Sequence, residues 1–197
     1  MKYLNPKFII IWFKYLFSKY SRYRYIFLEI IKLKPKTILE VGVYKGQRSR
    51  EMLDLASKLN NKISYYGFDL FEDINKGKKK KELSKKPFSK KKIQKKLSRN
   101  LNNVEIKLFK GDTKKTLKHF VNKNIKVDFV FIDGGHSLST IDSDWKYIKK
   151  IIWKNSVVIF DDYYSDKFII KKFGCNNTIQ NLNKKNFVKK VLPSSDY

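Results

Sequence analysis

The chain has 197 residues and one cysteine, Cys175, which leaves room for a single sizeable core, excludes an intramolecular disulfide and points to a reducing, cytoplasmic setting. Its formal charge of +27, from 45 Lys and Arg against 18 Asp and Glu, has two readings: a nucleic-acid footprint, or the codon bias of an AT-rich coding sequence. The second is favoured, because only five of the cations are Arg, the residue phosphate and base recognition draw on most, and Ala occurs once, at Ala56.

Near the N-terminus, Phe8-Ile-Ile-Ile-Trp-Phe13 and Tyr15-Leu-Phe17 form an apolar, aromatic stretch interrupted by Lys14 and Lys19. It is too short for a transmembrane helix, and the basic residues that follow offer no small-residue cleavage site for a signal peptide. Residues 1–34 are therefore expected to form an aromatic helical cap over the mouth of a site or against a partner subunit. The alternative is an interfacial helix on a membrane. Residues 35–197 would form the main domain.

Pro35 ends the cap, and Thr37-Ile-Leu-Glu-Val41 reads as a strand. Gly42-Val-Tyr-Lys-Gly46 follows, then a helix from Gln47 with Met52, Leu55, Ala56 and Leu59 on one face. Strand, glycine turn and helix form the opening unit of a nucleotide-binding α/β fold, although a Gly-x-x-x-Gly turn alone is equally a tight structural turn. A second strand, Ile63 to Phe68, ends in Asp69, where such folds place an acid for ribose hydroxyls. From Lys76 to Arg99 a lysine-dense run broken by Leu83, Pro87, Phe88, Ile93 and Leu97 predicts a mobile loop leading into a helix. A solvated face is its ordinary reading and an anion-attracting lid the functional one.

Glu105 to Lys110 predicts a third strand ending in Gly111-Asp-Thr113, followed by a helix that buries Leu117, Phe120 and Val121. Val127-Asp-Phe-Val-Phe-Ile-Asp-Gly-Gly-His136 reads as a buried parallel strand that delivers Asp133 and His136 to a site. Leu138, Ile141, Trp145, Ile148 and Ile152 step as a helix, and Ser156-Val-Val-Ile-Phe-Asp-Asp162 repeats the strand design with Asp161 and Asp162 at its end. A helix near Asn177 to Asn183 and a strand from Phe187 to Leu192 complete the expectation. Alternating strands and helices predict an α/β, Rossmann-like, doubly wound and mostly parallel sheet with helices on both faces. Ligands then belong at the carboxyl ends of the strands, where these acids cluster.

Together, Ile38-Leu-Glu-Val-Gly-Val-Tyr-Lys-Gly46, Tyr66-Gly-Phe-Asp-Leu-Phe-Glu72, Gly111-Asp-Thr113, Phe129-Val-Phe-Ile-Asp-Gly-Gly-His-Ser137 and Val158-Ile-Phe-Asp-Asp-Tyr163 resemble class I S-adenosylmethionine-dependent methyltransferases. Within that class the sequence is most similar to metal-dependent sugar O-methyltransferases of the macrocin type. The resemblance implies that Gly42 and Gly46 take the methionine moiety of S-adenosylmethionine, with Glu40 supporting their loop. It implies Asp69 for the ribose, Asp112 for the adenine end, and Asp133 beside both cofactor and acceptor. Asp133, Asp161 and Asp162 fall on the family's magnesium ligands and His136 on its general base. Carboxylates at neighbouring strand ends suit Mg²⁺, and an imidazole suits a proton acceptor near neutrality, with Asp133 as its competitor. For His136 the bland alternative is a cap on the following helix; for Asp161 and Asp162, a solvated turn. Members of the family carry a further antiparallel strand beyond the stretch equivalent to residues 187–192, whereas this chain stops just past Pro193, so a sheet short by one strand is expected, with its edge protected or paired in a homodimer. The leading expectation is methylation of a hydroxyl on a small molecule or sugar. The alternatives are an RNA methyltransferase, favoured by charge alone, and a non-catalytic binding protein that retains the fold.

Overall fold

The computed structural model describes residues 23–82 and 85–192. The expected aromatic cap therefore lies mostly outside the described residues. Its last part forms α1, Arg24–Leu33, followed by β1, Thr37–Val41, and α2, Gln47–Leu59. Next come β2, Ile63–Asp69; α3, Lys76–Lys81; α4, Lys90–Ser98; and β3, Val104–Lys110. The second half contains α5, Thr113–Val121; β4, Val127–Ile132; α6, Leu138–Ile148; β5, Ile152–Phe160; and α7, Asn176–Gln180.

Five strands form one sheet in the order β3-β2-β1-β4-β5, with every neighbouring pair parallel. The strands at its centre are apolar on both faces because helices cover both. On one face Ile38, Tyr65, Phe129 and Phe131 meet Ile26, Phe27 and Ile30 of α1, Met52 and Leu55 of α2, and Ile93 and Leu97 of α4. On the other, Leu39, Val41, Phe68, Val130 and Ile132 meet Leu117 and Phe120 of α5 and Ile148 of α6. Phe68 stacks on Phe109 at 4.6 Å between ring centres, and Phe120 meets both rings edge-on. Burying Phe68 and Phe120 contributes about 1.5–3 kcal/mol each. α1 thus belongs to the same core as α2.

Register decides what reaches the edge. Phe109, Phe68, Val41, Ile132 and Phe160 lie in one row across the sheet, so the next residue of each strand or following turn falls in one row at its carboxyl end: Lys110, Asp69, Gly42, Asp133 and Asp161. Backbone bonds continue the ladder into this row, Gly42 N–H donating to Phe68, Asp133 N–H to Val41 and Asp161 N–H to Ile132.

Three expectations are corrected. Residues 187–192 form no strand: Val188 and Val191 are exposed, while the Phe187 ring sits 5.3 Å from Trp145 of α6, which holds the segment against the helix layer. Ile152 opens β5 instead of closing α6, because α6 ends at Ile148 and a turn intervenes. The start of the lysine run is helical, with the Asn75 side chain accepting from Lys78 N–H to cap α3. No helix among the described residues is long and apolar enough to cross a membrane.

Candidate active site

The site begins at the turn between β1 and α2. Gly42 has φ +94°, and a Cβ there would lie 1.8 Å from the Asp133 carbonyl oxygen, so only glycine lets this turn pack against the end of β4. Gly46 caps α2 with φ +65°, which leaves the first N–H groups of α2 facing the carboxyl edge. Beneath the turn Glu40 is buried and accepts the Tyr65 hydroxyl. Burial, with Asp69 nearby adding to it, pushes the Glu40 carboxyl up to about 7. Asp69 itself accepts the Tyr44 and Phe71 N–H groups, each at 2.7 Å, and so ties the β1 and β2 loops together. Burial raises its pKa, and those backbone bonds pull it partly back.

On the flank beyond β2, Asp112 caps α5 by accepting Lys114 N–H at 3.0 Å and pairs with Lys78 Nζ of α3 at 3.2 Å. Burial alone would raise Asp112, but the Lys114 N–H and the Lys78 ammonium outweigh it and hold the carboxyl below its usual range. Asp144 of α6 is fully buried close by, and neither of its oxygens makes a well-formed hydrogen bond among the described residues, the Thr113 side chain offering only partial compensation. Burial therefore drives its carboxyl up to about 7.

Beyond β4, Gly134 and Gly135 lead to His136 and then to Ser137, which caps α6. A Cβ at Gly135 would fall 2.8 Å from Glu82 Oε2, so the small residue admits the end of α3. Glu82 accepts Ser137 N–H, Ser137 Oγ–H and Thr140 Oγ1–H, each at 2.9 Å. Its backbone oxygen lies 2.5 Å from His136 Nδ1, and His136 Nε2 lies 3.1 Å from Asp162 Oδ2. Asp162 occupies the left-handed region, with φ +59°, which swings its carboxylate back toward β4. Tyr164 O–H donates to Asp162 Oδ1 at 3.0 Å, and Cys175 N–H to the Asp162 carbonyl at 3.1 Å. The thiol of Cys175 is pushed up to about 12 by burial and by Asp162.

The structure brings together Asp133, His136 and Asp162: one ligand atom from each lies within 4.8 Å of the others. Asp161 follows β5 in the same row as Asp133, but its Oδ1 accepts the Asp162 N–H at 2.9 Å. Gly42, Gly46, Glu40 and Asp69 surround one turn, and Asp112 stands on the outer flank near Lys78. Sequence reasoning missed Glu82, Lys78 and Tyr164. Glu82 carried a signal, as the single acid between Asp73 and Glu105.

A family model described as a methyltransferase domain matches residues 39–163. No curated protein sequence matches the chain. Among solved structures, a provisionally assigned O-methyltransferase from Klebsiella pneumoniae is 12% identical, with a TM-score of 0.54 over 86% of this chain and 76% of that one. The methyltransferase MycE of the mycinamycin biosynthetic pathway, solved with Mg, SAH and mycinamycin VI, is 13% identical, with a TM-score of 0.50 over 80% of this chain and 39% of its own. At these identities the likeness is one of fold.

Proposed function

Since the chain belongs to this family of methyltransferase domains and is an S-adenosylmethionine-dependent methyltransferase, we propose that it methylates a hydroxyl oxygen of a small molecule or sugar. The observation that carries this reading is the convergence of Asp133, His136 and Asp162 at the sheet edge, next to the Gly42 turn. The Gly42 to Gly46 turn, supported by Glu40 and headed by the α2 N-terminus, would hold the methionine moiety. Asp69 would accept from ribose hydroxyls and Asp112 would face the adenine end. Parallel strands stand about 4.8 Å apart, so Asp69 and Asp133, two strands apart in one row, are separated by roughly 10 Å of edge along which the cofactor would lie.

When bound, S-adenosylmethionine supplies the methyl group, and a divalent cation supplies the positive charge that orients the acceptor oxygen and lowers its pKa. The residues fit such an ion. An octahedral site with ligand distances of about 2.1 Å sets neighbouring donors about 3 Å apart and opposite donors about 4.2 Å apart. Donor atoms of Asp133, His136 and Asp162 within 4.8 Å of one another need only a small approach. Asp133, Asp161 and Asp162 would hold the ion, with Asp161 following β5 in the same row as Asp133. The hydroxyl proton would pass to a group of this cluster, for which His136 and Asp133 are the two candidates. The single buried thiol, Cys175, suits a reducing cytoplasmic setting.

The test is a labelled-methyl transfer assay against sugars, nucleotide sugars, catechols and RNA, with and without divalent cations. Transfer to a small-molecule hydroxyl is expected. Transfer to RNA alone, or a protein that binds no S-adenosylhomocysteine in a calorimeter, refutes the reading.

A further inference from the structure

We infer that His136 is a ligand of the divalent ion rather than the base that receives the hydroxyl proton, and that the site therefore takes a first-row transition ion such as Mn²⁺ or Co²⁺ in preference to Mg²⁺. This deepens the methyltransferase reading above and rests on it.

The orientation of the ring carries the assignment. Its Nδ1 lies 2.5 Å from the backbone oxygen of Glu82, a group that only accepts, so Nδ1 holds a proton and donates it. Nε2 is left to face the carboxylates. A metal-binding histidine is held in this way, one nitrogen donating to an outer carbonyl while the other presents its lone pair to the ion. A base for the acceptor would have to aim that lone pair outward at the hydroxyl. Nε2 instead lies 3.1 Å from Asp162 Oδ2, a distance that an Nε2–H···Oδ2 bond fills when no ion is bound and that also matches the separation of about 3 Å between neighbouring ligands of one octahedral ion. A donor atom of Asp133 completes a set of two oxygens and one nitrogen.

Both side chains are held from behind. The His136 carbonyl accepts Gly174 N–H at 2.8 Å, and Asp162 is fixed by Tyr164 O–H and by Cys175 N–H. Glu82 and Tyr164 are therefore positioning residues for the ring and the carboxylate. The donor set then selects the ion. Mg²⁺ is held by hard oxygens, whereas an imidazole nitrogen favours first-row transition ions in the order of their intrinsic affinities.

The experiment uses the full chain, stripped of metal, titrated calorimetrically with Mn²⁺ and with Mg²⁺, together with pulsed electron paramagnetic resonance of the Mn²⁺ form. Wild type is expected to bind Mn²⁺ at least about tenfold tighter than Mg²⁺ and to show one directly coordinated nitrogen. His136→Ala should lose the nitrogen signal and roughly tenfold to a hundredfold in Mn²⁺ affinity. His136→Gln, which keeps bulk and offers an oxygen, should lose the signal with a smaller loss of affinity; thermal unfolding and S-adenosylhomocysteine binding check that both variants are folded. Mn²⁺ bound without a coordinated nitrogen, equal affinity in His136→Ala, no preference over Mg²⁺, or no ion bound by wild type would each overturn the inference. A coordinated nitrogen in a protein that binds no S-adenosylhomocysteine would support the ligand assignment and overturn the methyltransferase reading instead.

Discussion

Replacing Gly42 with Ala should destabilise the fold and disturb the site together. The added Cβ would lie 1.8 Å from the Asp133 carbonyl oxygen, 2.4 Å from its carbon and 2.7 Å from Gly134 Cα, all of them backbone atoms that no rotamer change can move. Relief requires the β1 turn to move away from β4 by more than 1 Å, since carbon and oxygen make ordinary contact only beyond about 3.2 Å. A non-glycine residue at positive φ adds about 1–2 kcal/mol, and overpacking typically another 1–3 kcal/mol, so a loss of about 2–5 kcal/mol is expected. For a chain of this length that is a fall in Tm of roughly 4–20 °C. The control is Gly77→Ala in exposed α3, where the nearest atom to a new Cβ is the flexible Asn75 Oδ1 at 3.5 Å; it should be neutral or stabilise by up to about 1 kcal/mol. Thermal and denaturant unfolding measure both variants, and calorimetry with S-adenosylhomocysteine measures the site. Gly42→Ala with wild-type stability and affinity would refute both the tight packing of this turn and its place at the cofactor.

Asp69→Ala should weaken S-adenosylhomocysteine by about tenfold or more, because it removes the acceptor proposed for ribose and orphans the Tyr44 and Phe71 N–H groups; unchanged affinity in a calorimeter would remove Asp69 from the site. Asp144 should make stability pH-dependent: its folded pKa of about 7 lies above the unfolded 3.8, so the folded state binds more protons between those values and stability falls as pH rises through them. Asp144→Asn should flatten that fall by up to about 2.5 kcal/mol between pH 5 and pH 8 in denaturant titrations, and an unaltered slope would show that the carboxyl is not held neutral. Glu82→Ala removes three hydrogen bonds to Ser137 and Thr140, so trypsin should cut the lysine-rich segment roughly tenfold faster under native conditions, and equal cleavage would show that Glu82 does not restrain it.

The sheet was legible because strands covered on both faces are written as continuous apolar runs, and Thr37 to Val41 or Val127 to Ile132 fit no other element of that length. Acids that end such runs had to share an edge, which is why Asp69, Asp133 and Asp161 fall in one register row. Asp161 and Asp162 both read as ligands, and which of the two turns toward His136 was not legible. It turns on the sign of one φ angle, and adjacent aspartates both tolerate the left-handed region, so the sequence carries no preference. Phe187 to Leu192 misled for a related reason: its β-branched and aromatic residues suit a strand, yet packing on Trp145 decides where the segment goes.

The composition of the lysine run gave no sign of the two contacts that its first helix makes. Lys78 lies in the short helix α3 and Glu82 caps its end, its N–H donating to the Lys78 carbonyl. The first grips Asp112 on the β3 flank and the second grips Ser137, Thr140 and His136 beyond β4, with the site between them. A helix of one and a half turns is rigid over that span, so neither anchor can shift without pulling on the other. The two contacts also differ in strength. The Lys78 pair is about two-fifths exposed on each side and worth at most about 1 kcal/mol, whereas Glu82 satisfies a helix cap and fixes the His136 ring with its backbone oxygen. Loss of the Lys78 pair should therefore cost the segment less than loss of Glu82.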